Sequence, residues 1–176
     1  MQNDLLTELI DDYQKRFFYY KTLSEDAMAQ ISDDIFFQIP AGNSNSIAAI
    51  VKHIGGNLKS RWSGFLTSDG EKPDRDRDNE FNVSEDRKTI MMAWESGWMS
   101  LRKNLESLKP EDLSKTVLIR GQAFSVPSAI HRSLAHTSYH AGQIVYLCRM
   151  QHPGTWKWLT IAPGKSDEYR PSKPTG

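Results

Sequence analysis

The amino-acid sequence predicts an all-α protein, a four-helix bundle with a short β-hairpin or extended crossover before the last long helix. Four long stretches place apolar residues three and four positions apart, which is the period of an amphipathic helix. Glycine and proline concentrate between these stretches, and strand-like alternation occurs over residues 116–126. The chain has no internal repeat and is long enough to enclose a sizeable core, so we expect residues 1–176 to form a single domain.

The first helix is predicted over residues 3–32, where an apolar stripe runs between charged side chains and neither glycine nor proline interrupts. Its aromatic residues are expected to pack in the core rather than to form a cofactor platform. A turn follows at residues 40–46, which are rich in helix breakers and in residues that cap helices. The stripe consists of Leu5, Leu6, Leu9, Ile10, Tyr13, Phe17, Tyr20 and Leu23.

The second and third helices flank a charged loop. The second helix is predicted over residues 46–66 and stops at a segment rich in breakers. Ser84 is expected to cap the third helix, which ends before Pro110. Between them, acidic residues alternate over residues 74–80 and partly imitate a calcium-binding loop. Because Asn79 stands where such a loop needs glycine, we expect a solvated linker instead.

The fourth helix follows the strand-like segment. Residues 116–126 alternate around a central Gly-Gln pair, which predicts a β-hairpin or an extended crossover. Pro127 fits the first turn of the fourth helix, which is expected to run to about Gln151. The remaining residues, 152–176, hold too much proline and glycine for another long helix. Their tryptophans favour an extended tail that packs on the bundle.

Composition narrows the classes of function. The 22 basic residues balance 22 acidic ones, which argues against nucleic acid or an anionic membrane surface as the main partner. No apolar run approaches the roughly 20 residues of a membrane span, and the first residues do not resemble a signal peptide. Cys148 is the single cysteine, so an internal disulfide is excluded and its thiol is expected to be a small buried hydrophobe. We therefore expect a cytoplasmic protein.

The fourth predicted helix carries two histidines, His136 and His140, four residues apart. Residues at this spacing lie on the same face of a helix, so two imidazoles can bind one metal ion. With five histidines in the chain, such a pair arises by chance in roughly one sequence in ten. The pair is therefore weak evidence for a metal site until a third ligand is found.

Three further histidines are candidates for that ligand. His131 precedes His136 by five residues, roughly 140° around the helix, and faces elsewhere. His152 adjoins a proline beyond the helix end and is expected at the surface. His53 lies at the margin of the stripe of the second helix, about 120° from its centre and on the same side as His136 in the fourth. This position allows a shared site in a cleft between the two helices, with a satisfied core histidine as the alternative.

Two sequence motifs carry a family resemblance. The segment Val-Lys-His-Ile-Gly-Gly-Asn in the second helix and His-x-x-x-His-x-Gly-Gln-Ile in the fourth resemble the DinB/YfiT-like metalloprotein superfamily, in particular a bacterial branch of unknown function. The charged loop at residues 69–73 and the tail at residues 159–166 extend the resemblance over nearly the whole chain. It implies a four-helix bundle, often a homodimer, in which His53, His136 and His140 surround a divalent metal ion.

The resemblance leaves the reaction open. Asn57 and Gln143 match positions near the ligands, but no catalytic role is assigned to either, and the catalytic residues stay unknown. Three neutral imidazoles without an acidic fourth ligand leave coordination positions free, as in catalytic metal sites. Imidazole suits several ions, so zinc or nickel is expected first, with iron, cobalt and manganese as alternatives. Thr137 follows the first histidine of the pair, so the glutamate base of an HExxH metalloprotease is absent, and no GxSxG motif replaces it.

Two classes of function are therefore expected. Better-known members of the superfamily are thiol-dependent transferases and isomerases. The resemblance thus implies a metal-dependent enzyme that transfers a low-molecular-weight thiol, similar to bacillithiol, to an electrophilic small-molecule substrate. A metal that binds the thiol as thiolate makes a nucleophile at neutral pH, and a metal-dependent hydrolase is the close variant. The other class is a non-enzymatic metal-binding or stress-response module.

Overall fold

The computed structural model describes residues 2–168, apart from the side chain of Gln2. Four long helices confirm the predicted bundle, and their apolar stripes meet in a common core. None of the described helices is long and apolar enough to cross a lipid bilayer. Residues 169–176 of the predicted tail lie outside the described residues. The helices are α1 (Gln2–Met28), the short α2 (Asp33–Phe37), α3 (Ile47–Trp62), α4 (Arg87–Ser107) and α5 (Val126–Gln151).

The bundle consists of two closely packed helix pairs, α3 with α4 and α1 with α5, which are joined where α3 also contacts α5. The α3–α4 pair is closest at two glycines. A Cβ atom on Gly97 would lie 2.4 Å from the backbone oxygen of Gly55, and a Cβ atom on Gly55 would lie 2.9 Å from the backbone oxygen of Ala93. A side chain at either position would force the two helices apart.

Large aromatic side chains fill the core. Trp62 of α3 stands edge-on to Phe17 of α1, with ring centroids 5.7 Å apart, and Trp94 stands edge-on to Trp98 within α4. All four rings are buried, and Phe17 with Tyr13 shows that the first helix turns aromatic residues of its stripe into the core, as expected. Cys148 is buried in the same core, and this burial raises the pKa of its thiol to about 12. The cysteine is therefore the small buried hydrophobe that was expected.

Three predicted helix ends are wrong. The second helix is predicted to run to residue 66, but α3 ends at Trp62, and Gly64 just beyond it has a φ of 62°. The first helix ends before Ser32, whose hydroxyl accepts a hydrogen bond of 3.4 Å from the N–H of Ile35 and caps α2. The α4 helix begins after Asp86 rather than after Ser84. The Asp86 carboxylate accepts a hydrogen bond of 2.7 Å from the N–H three residues further on. Around Ser32 and around Asp86, several residues that can cap a helix lie close together. The local sequence does not determine which of them adopts the extended backbone of a cap.

A two-stranded antiparallel hairpin precedes α5, as predicted. Strand β1 (Thr116–Ile119) pairs with β2 (Gln122–Ser125). The turn is formed by Arg120 and Gly121, one position before the expected centre, with φ angles of 56° and 72°. Two consecutive positive φ angles are typical of the type I′ turn, whose twist matches that of a hairpin. Asp69 holds this turn, since its carboxylate accepts hydrogen bonds of 2.8 and 2.7 Å from the two turn N–H groups.

The described part of the C-terminal tail lies against the bundle. Gln30, just after α1, exchanges two hydrogen bonds with the backbone of Lys157, at 2.8 and 3.2 Å. Trp156 and Leu159 pack against the core. The tail contains no further long helix up to residue 168, where a short 3-10 helix, Ser166–Glu168, ends the described chain.

Candidate metal centre

Three histidine side chains from α3 and α5 converge. One ring nitrogen from each of His53, His136 and His140 lies within 4.8 Å of the other two, so the group could hold a metal ion. The Nε2 atoms of His53 and His136 are 3.2 Å apart, and the three ring centroids are 5.1, 5.0 and 4.6 Å from one another. His136 and His140 share a face of α5 because they are four residues apart. His53 reaches them because α3 packs against α5.

The other two histidines lie elsewhere. Nε2 of His131 is 3.1 Å from the hydroxyl of Tyr13 on α1. His152 ends α5, and its Nδ1 accepts a hydrogen bond of 3.1 Å from the N–H of Gly154. The three histidines that cluster are therefore the same three that spacing and angular position on the predicted helices favoured.

A buried carboxylate orients His53. Its Nδ1 lies 2.8 Å from Oε2 of Glu80, and the carboxylate accepts the Nδ1 proton. Nε2, the nitrogen opposite this contact, is the atom that faces His136. Glu80 also accepts two hydrogen bonds from the guanidinium of Arg75, at 2.7 and 2.9 Å. The side chains of His53, Glu80 and Arg75 are only 9%, 8% and 4% exposed, so the whole chain of contacts is shielded from water.

Glu80 is a site residue that the sequence pattern did not reveal. The aspartates of its loop are exposed, as predicted, but the expectation of a solvated linker is wrong at Glu80 itself. Gly56 of α3 makes room for it, because a Cβ atom at that position would lie 2.6 Å from Oε1 of Glu80. Gly56 is the sequence signal of a close approach at this point of α3, although it does not identify the approaching residue, and the adjacent Gly55 faces α4 instead. A glycine inside a helix indicates that another group approaches the backbone closely.

Glu80 is held in its charged form. Burial alone would raise its pKa, but hydrogen bonds from His53 and Arg75 and the charge of Arg75 outweigh burial, and the pKa lies below its usual range. The next residue, Phe81, stacks on the His53 ring with centroids 4.8 Å apart and an interplanar angle of 23°. The loop after α3 therefore fixes both the tautomer and the plane of the His53 ring.

Gln143 holds His140 from within α5. Its side-chain oxygen lies 2.7 Å from Nδ1 of His140, and its amide nitrogen donates to the hydroxyl of Tyr139 over 3.1 Å. In this arrangement the oxygen accepts the Nδ1 proton, and Nε2 of His140 is left unprotonated. Asn57, the other position noted in the sequence, is buried on α3 near His53 and lines an adjacent cavity.

The imidazoles of His136 and His140 are uncharged at neutral pH. Burial, followed by the neighbouring His140 and His53, lowers the pKa of His136 to about 3. Burial also lowers the pKa of His140, although its hydrogen bond to Gln143 acts in the opposite direction. Both rings therefore offer free lone pairs at pH 7, which is the protonation state that a metal ligand needs.

The donor set fits a divalent ion. Metal–nitrogen bonds of about 2.0–2.1 Å at a tetrahedral angle place two ligand nitrogens about 3.3 Å apart. The observed separation between Nε2 of His53 and Nε2 of His136 is 3.2 Å. Without an ion the same separation admits an N–H···N hydrogen bond between the two rings. The carboxylate on Nδ1 of His53 is also the outer partner that metal-binding histidines usually have.

A cavity of about 200 Å³ lies beside the histidine group. It is lined by α3, the loop that follows α3, α5 and the first strand of the hairpin, and both His53 and His136 contribute to this lining. Trp62 of α3 donates its indole N–H to the hydroxyl of Ser133 on α5 over 3.0 Å and so connects two of the walls. A small molecule in this cavity would contact the histidine group directly.

Two comparisons relate the chain to known proteins. Residues 4–165 match the model of a family described as "Protein of unknown function (DUF1572)". Among solved structures, the crystal structure of a DinB-like protein from Bacillus cereus ATCC 10987 is similar, with a TM-score of 0.62 and 16% sequence identity. The match covers 83% of this chain and 97% of that one, and at this identity it concerns the fold. No curated protein matches the chain.

Proposed function

Because the chain belongs to the DUF1572 family and has the fold of the DinB/YfiT-like superfamily, we propose that it binds a divalent metal ion through His53, His136 and His140. The observation that carries this proposal is the convergence of three imidazoles, two of them with Nε2 atoms 3.2 Å apart. Glu80 supports it, since a carboxylate on Nδ1 makes the opposite nitrogen of an imidazole a better metal ligand. We propose zinc or nickel as the ion, with iron, cobalt and manganese as alternatives for an all-imidazole donor set.

We further propose that the ion serves catalysis, namely the transfer of a low-molecular-weight thiol similar to bacillithiol to an electrophilic substrate. A divalent ion with free coordination positions lowers the pKa of a bound thiol or water and so supplies a nucleophile at neutral pH. The cavity beside His53 and His136 favours an enzyme over a non-enzymatic metal-binding module, because it offers a substrate space next to the ligands. Hydrolysis is the variant in which water is the nucleophile.

The chain's own residues have defined tasks in this proposal. Glu80, Phe81 and Gln143 hold the ligand rings in one orientation, so that little reorganisation is needed when an ion binds. Cys148 is not the sulfur nucleophile, because burial raises the pKa of its thiol to about 12 and the thiolate is the reactive form. The attacking sulfur would therefore come from the free thiol substrate.

We also propose that the protein acts in the cytoplasm as a homodimer. The superfamily resemblance supports the dimer. The free, buried Cys148 is in keeping with a reducing compartment.

Metal analysis of the purified protein tests the proposed site. We expect about one equivalent of a divalent metal per chain, and its loss in both His136→Ala and His53→Ala, because two imidazoles bind an ion far more weakly than three. Inductively coupled plasma mass spectrometry gives the metal content, and circular dichroism shows whether each variant is folded. His131→Ala is the matched control, since His131 is on the same helix as His136 but contacts Tyr13. Full metal retention by both site variants would exclude the site.

A thiol-transfer assay separates an enzyme from a binding module. With 1-chloro-2,4-dinitrobenzene as the electrophile, the thiol sulfur forms a bond to the ring carbon, chloride leaves, and the thiol proton goes to solvent. We expect the metal-loaded protein to accelerate this reaction with bacillithiol by more than about ten-fold. His136→Ala should abolish the acceleration, and His131→Ala should retain it. A metal-loaded protein that accelerates the reaction with neither bacillithiol nor cysteine would contradict thiol transfer and favour the non-enzymatic module.

A further inference from the structure

The cavity beside His53 and His136 has a positively charged wall. Four of its lining residues are arginines, and none is an aspartate or a glutamate. Two of the arginines, Arg61 and Arg120, share one counter-ion, because each donates to Oε2 of Glu71 over 2.9 Å. The four arginines are Arg61, Arg77, Arg120 and Arg132.

The other two arginines are exposed. Within residues 2–168, neither Arg77 nor Arg132 forms an ion pair with a carboxylate. The guanidinium of Arg132 lies 5.7 Å from the centre of the Phe124 ring instead. Arg132 also precedes His136 by four residues, so both side chains lie on the same face of α5 about one turn apart. A guanidinium offers a rigid fork of donors that matches a carboxylate or a phosphate.

The remaining wall is largely apolar. Trp62 and Phe65 stack with ring centroids 4.5 Å apart, and Val117 and Ile119 of β1 lie in the same cavity wall. The ring of Trp62 is fully buried behind this wall and its indole N–H donates to Ser133, so Phe65 and the two strand residues supply the accessible apolar surface. The cavity thus combines an apolar surface with two exposed arginines.

We propose that this cavity binds a small substrate that combines a carboxylate or phosphate group with an apolar group. Arg132, assisted by Arg77, binds the anion. The apolar surface formed by Phe65 and the β1 residues Val117 and Ile119 holds the apolar part. The anion then lies about one helical turn from His136, and the remainder of the substrate faces the histidine group. The inference rests on the proposed function for the role of the histidines, whereas binding of the anion to the arginines needs no metal.

Isothermal titration calorimetry with phenylacetate, phenylacetamide and phenyl phosphate tests this inference. The first two molecules have nearly the same shape and differ in charge. We expect phenylacetate to bind at least about ten-fold more tightly than phenylacetamide, because the neutral amide forms no charge-assisted bonds with Arg132. Phenyl phosphate shows whether phosphate is preferred to carboxylate, and tighter binding of either anion than of the amide supports the inference. Added sodium chloride should weaken binding of both anions, since Arg77 and Arg132 are exposed.

Two arginine variants locate the bound anion. Arg132→Gln should weaken phenylacetate binding about ten-fold and leave phenylacetamide binding unchanged. Arg149→Gln is the matched control, since Arg149 is on the same helix but its guanidinium lies over the Trp158 ring, 4.1 Å from the centroid and outside the cavity. It should bind phenylacetate like the unmodified protein.

The titrations are made on the full chain, both as purified and after treatment with EDTA, and the effect of Arg132→Gln is expected in both states. A protein that proves to hold no metal therefore leaves this inference intact. Three results would overturn it: neither anion binding more tightly than phenylacetamide, no binding of either anion, or equal affinities for the anion in Arg132→Gln and Arg149→Gln.

Discussion

Gly97→Ala is expected to lower the free energy of unfolding by about 3 kcal/mol or more. The added Cβ atom would lie 2.4 Å from the backbone oxygen of Gly55, and a helix backbone cannot turn aside as a flexible side chain can. The α3 and α4 helices must therefore separate, which leaves gaps around the buried Trp94 and Trp98. Alanine is the better helix former by about 1 kcal/mol, so the steric effect dominates.

Gly142→Ala is the matched control for this prediction. Gly142 is also inside a helix, α5, but apart from the adjoining backbone of that helix no atom lies within 4 Å of a Cβ atom added there. Helix propensity then acts alone, and the free energy of unfolding should rise by about 1 kcal/mol. Equilibrium unfolding in urea, followed by circular dichroism, measures both variants. A Gly97→Ala protein as stable as the unmodified one would show that α3 and α4 do not approach this closely in solution.

Glu80→Gln is expected to weaken metal binding by about ten- to a hundred-fold although the three histidines are unchanged. Glutamine has nearly the shape of glutamate and can still accept the hydrogen bond from Nδ1 of His53. It lacks the negative charge that draws the Nδ1 proton and makes Nε2 a stronger donor to a metal. Competition with a chromophoric chelator for Zn²⁺ gives the dissociation constants.

The same substitution should also destabilise the fold by about 3 kcal/mol, because it leaves a buried guanidinium without its close partner. Arg75 is 4% exposed and would keep only its 3.5 Å contact with Glu71. The double variant Arg75→Met with Glu80→Gln removes both charges. It should recover most of the stability without restoring the metal affinity. Recovered stability without recovered metal affinity would show two separate effects of Glu80. One is its stabilisation of the fold through Arg75, and the other is its action on His53.

Asp78→Asn controls for the loss of one negative charge in this loop. Asp78 is exposed, two residues from Glu80, and its side chain has no hydrogen bond within the described residues. Its replacement should leave the metal affinity unchanged and alter stability by less than about 0.5 kcal/mol. Equal metal affinities for Glu80→Gln and Asp78→Asn would contradict a role for Glu80 in the site.

The long helices could be predicted because their apolar residues repeat with the helical period and face one core. The hairpin could be located in the same way, but its turn could not. Asp69, distant in sequence, accepts hydrogen bonds from both turn residues, Arg120 and Gly121, and thereby selects the turn. The choice among neighbouring capping residues, such as Ser84 and Asp86, likewise depends on where the preceding loop leaves the bundle.

The cluster of three histidines could be predicted from residue spacing and angular position on the helices. Spacing paired His136 with His140, and angular position favoured His53 over His131. The superfamily resemblance was then needed to choose a shared site over a satisfied core histidine at position 53. Glu80 lay beyond such reasoning. Its burial depends on the path of a polar loop past Gly56, and no periodic pattern describes that path.

The contact between Glu80 and His53 limits how the site can be transplanted into another protein. A graft of α3 and α5 alone would carry all three candidate ligands. It would lack the carboxylate that sets the tautomer of His53 and the ring of Phe81 that covers it. The smallest transferable unit therefore consists of two segments, the one from His53 through Phe81 and the α5 helix. The candidate ligands and the polar loop have to be moved together.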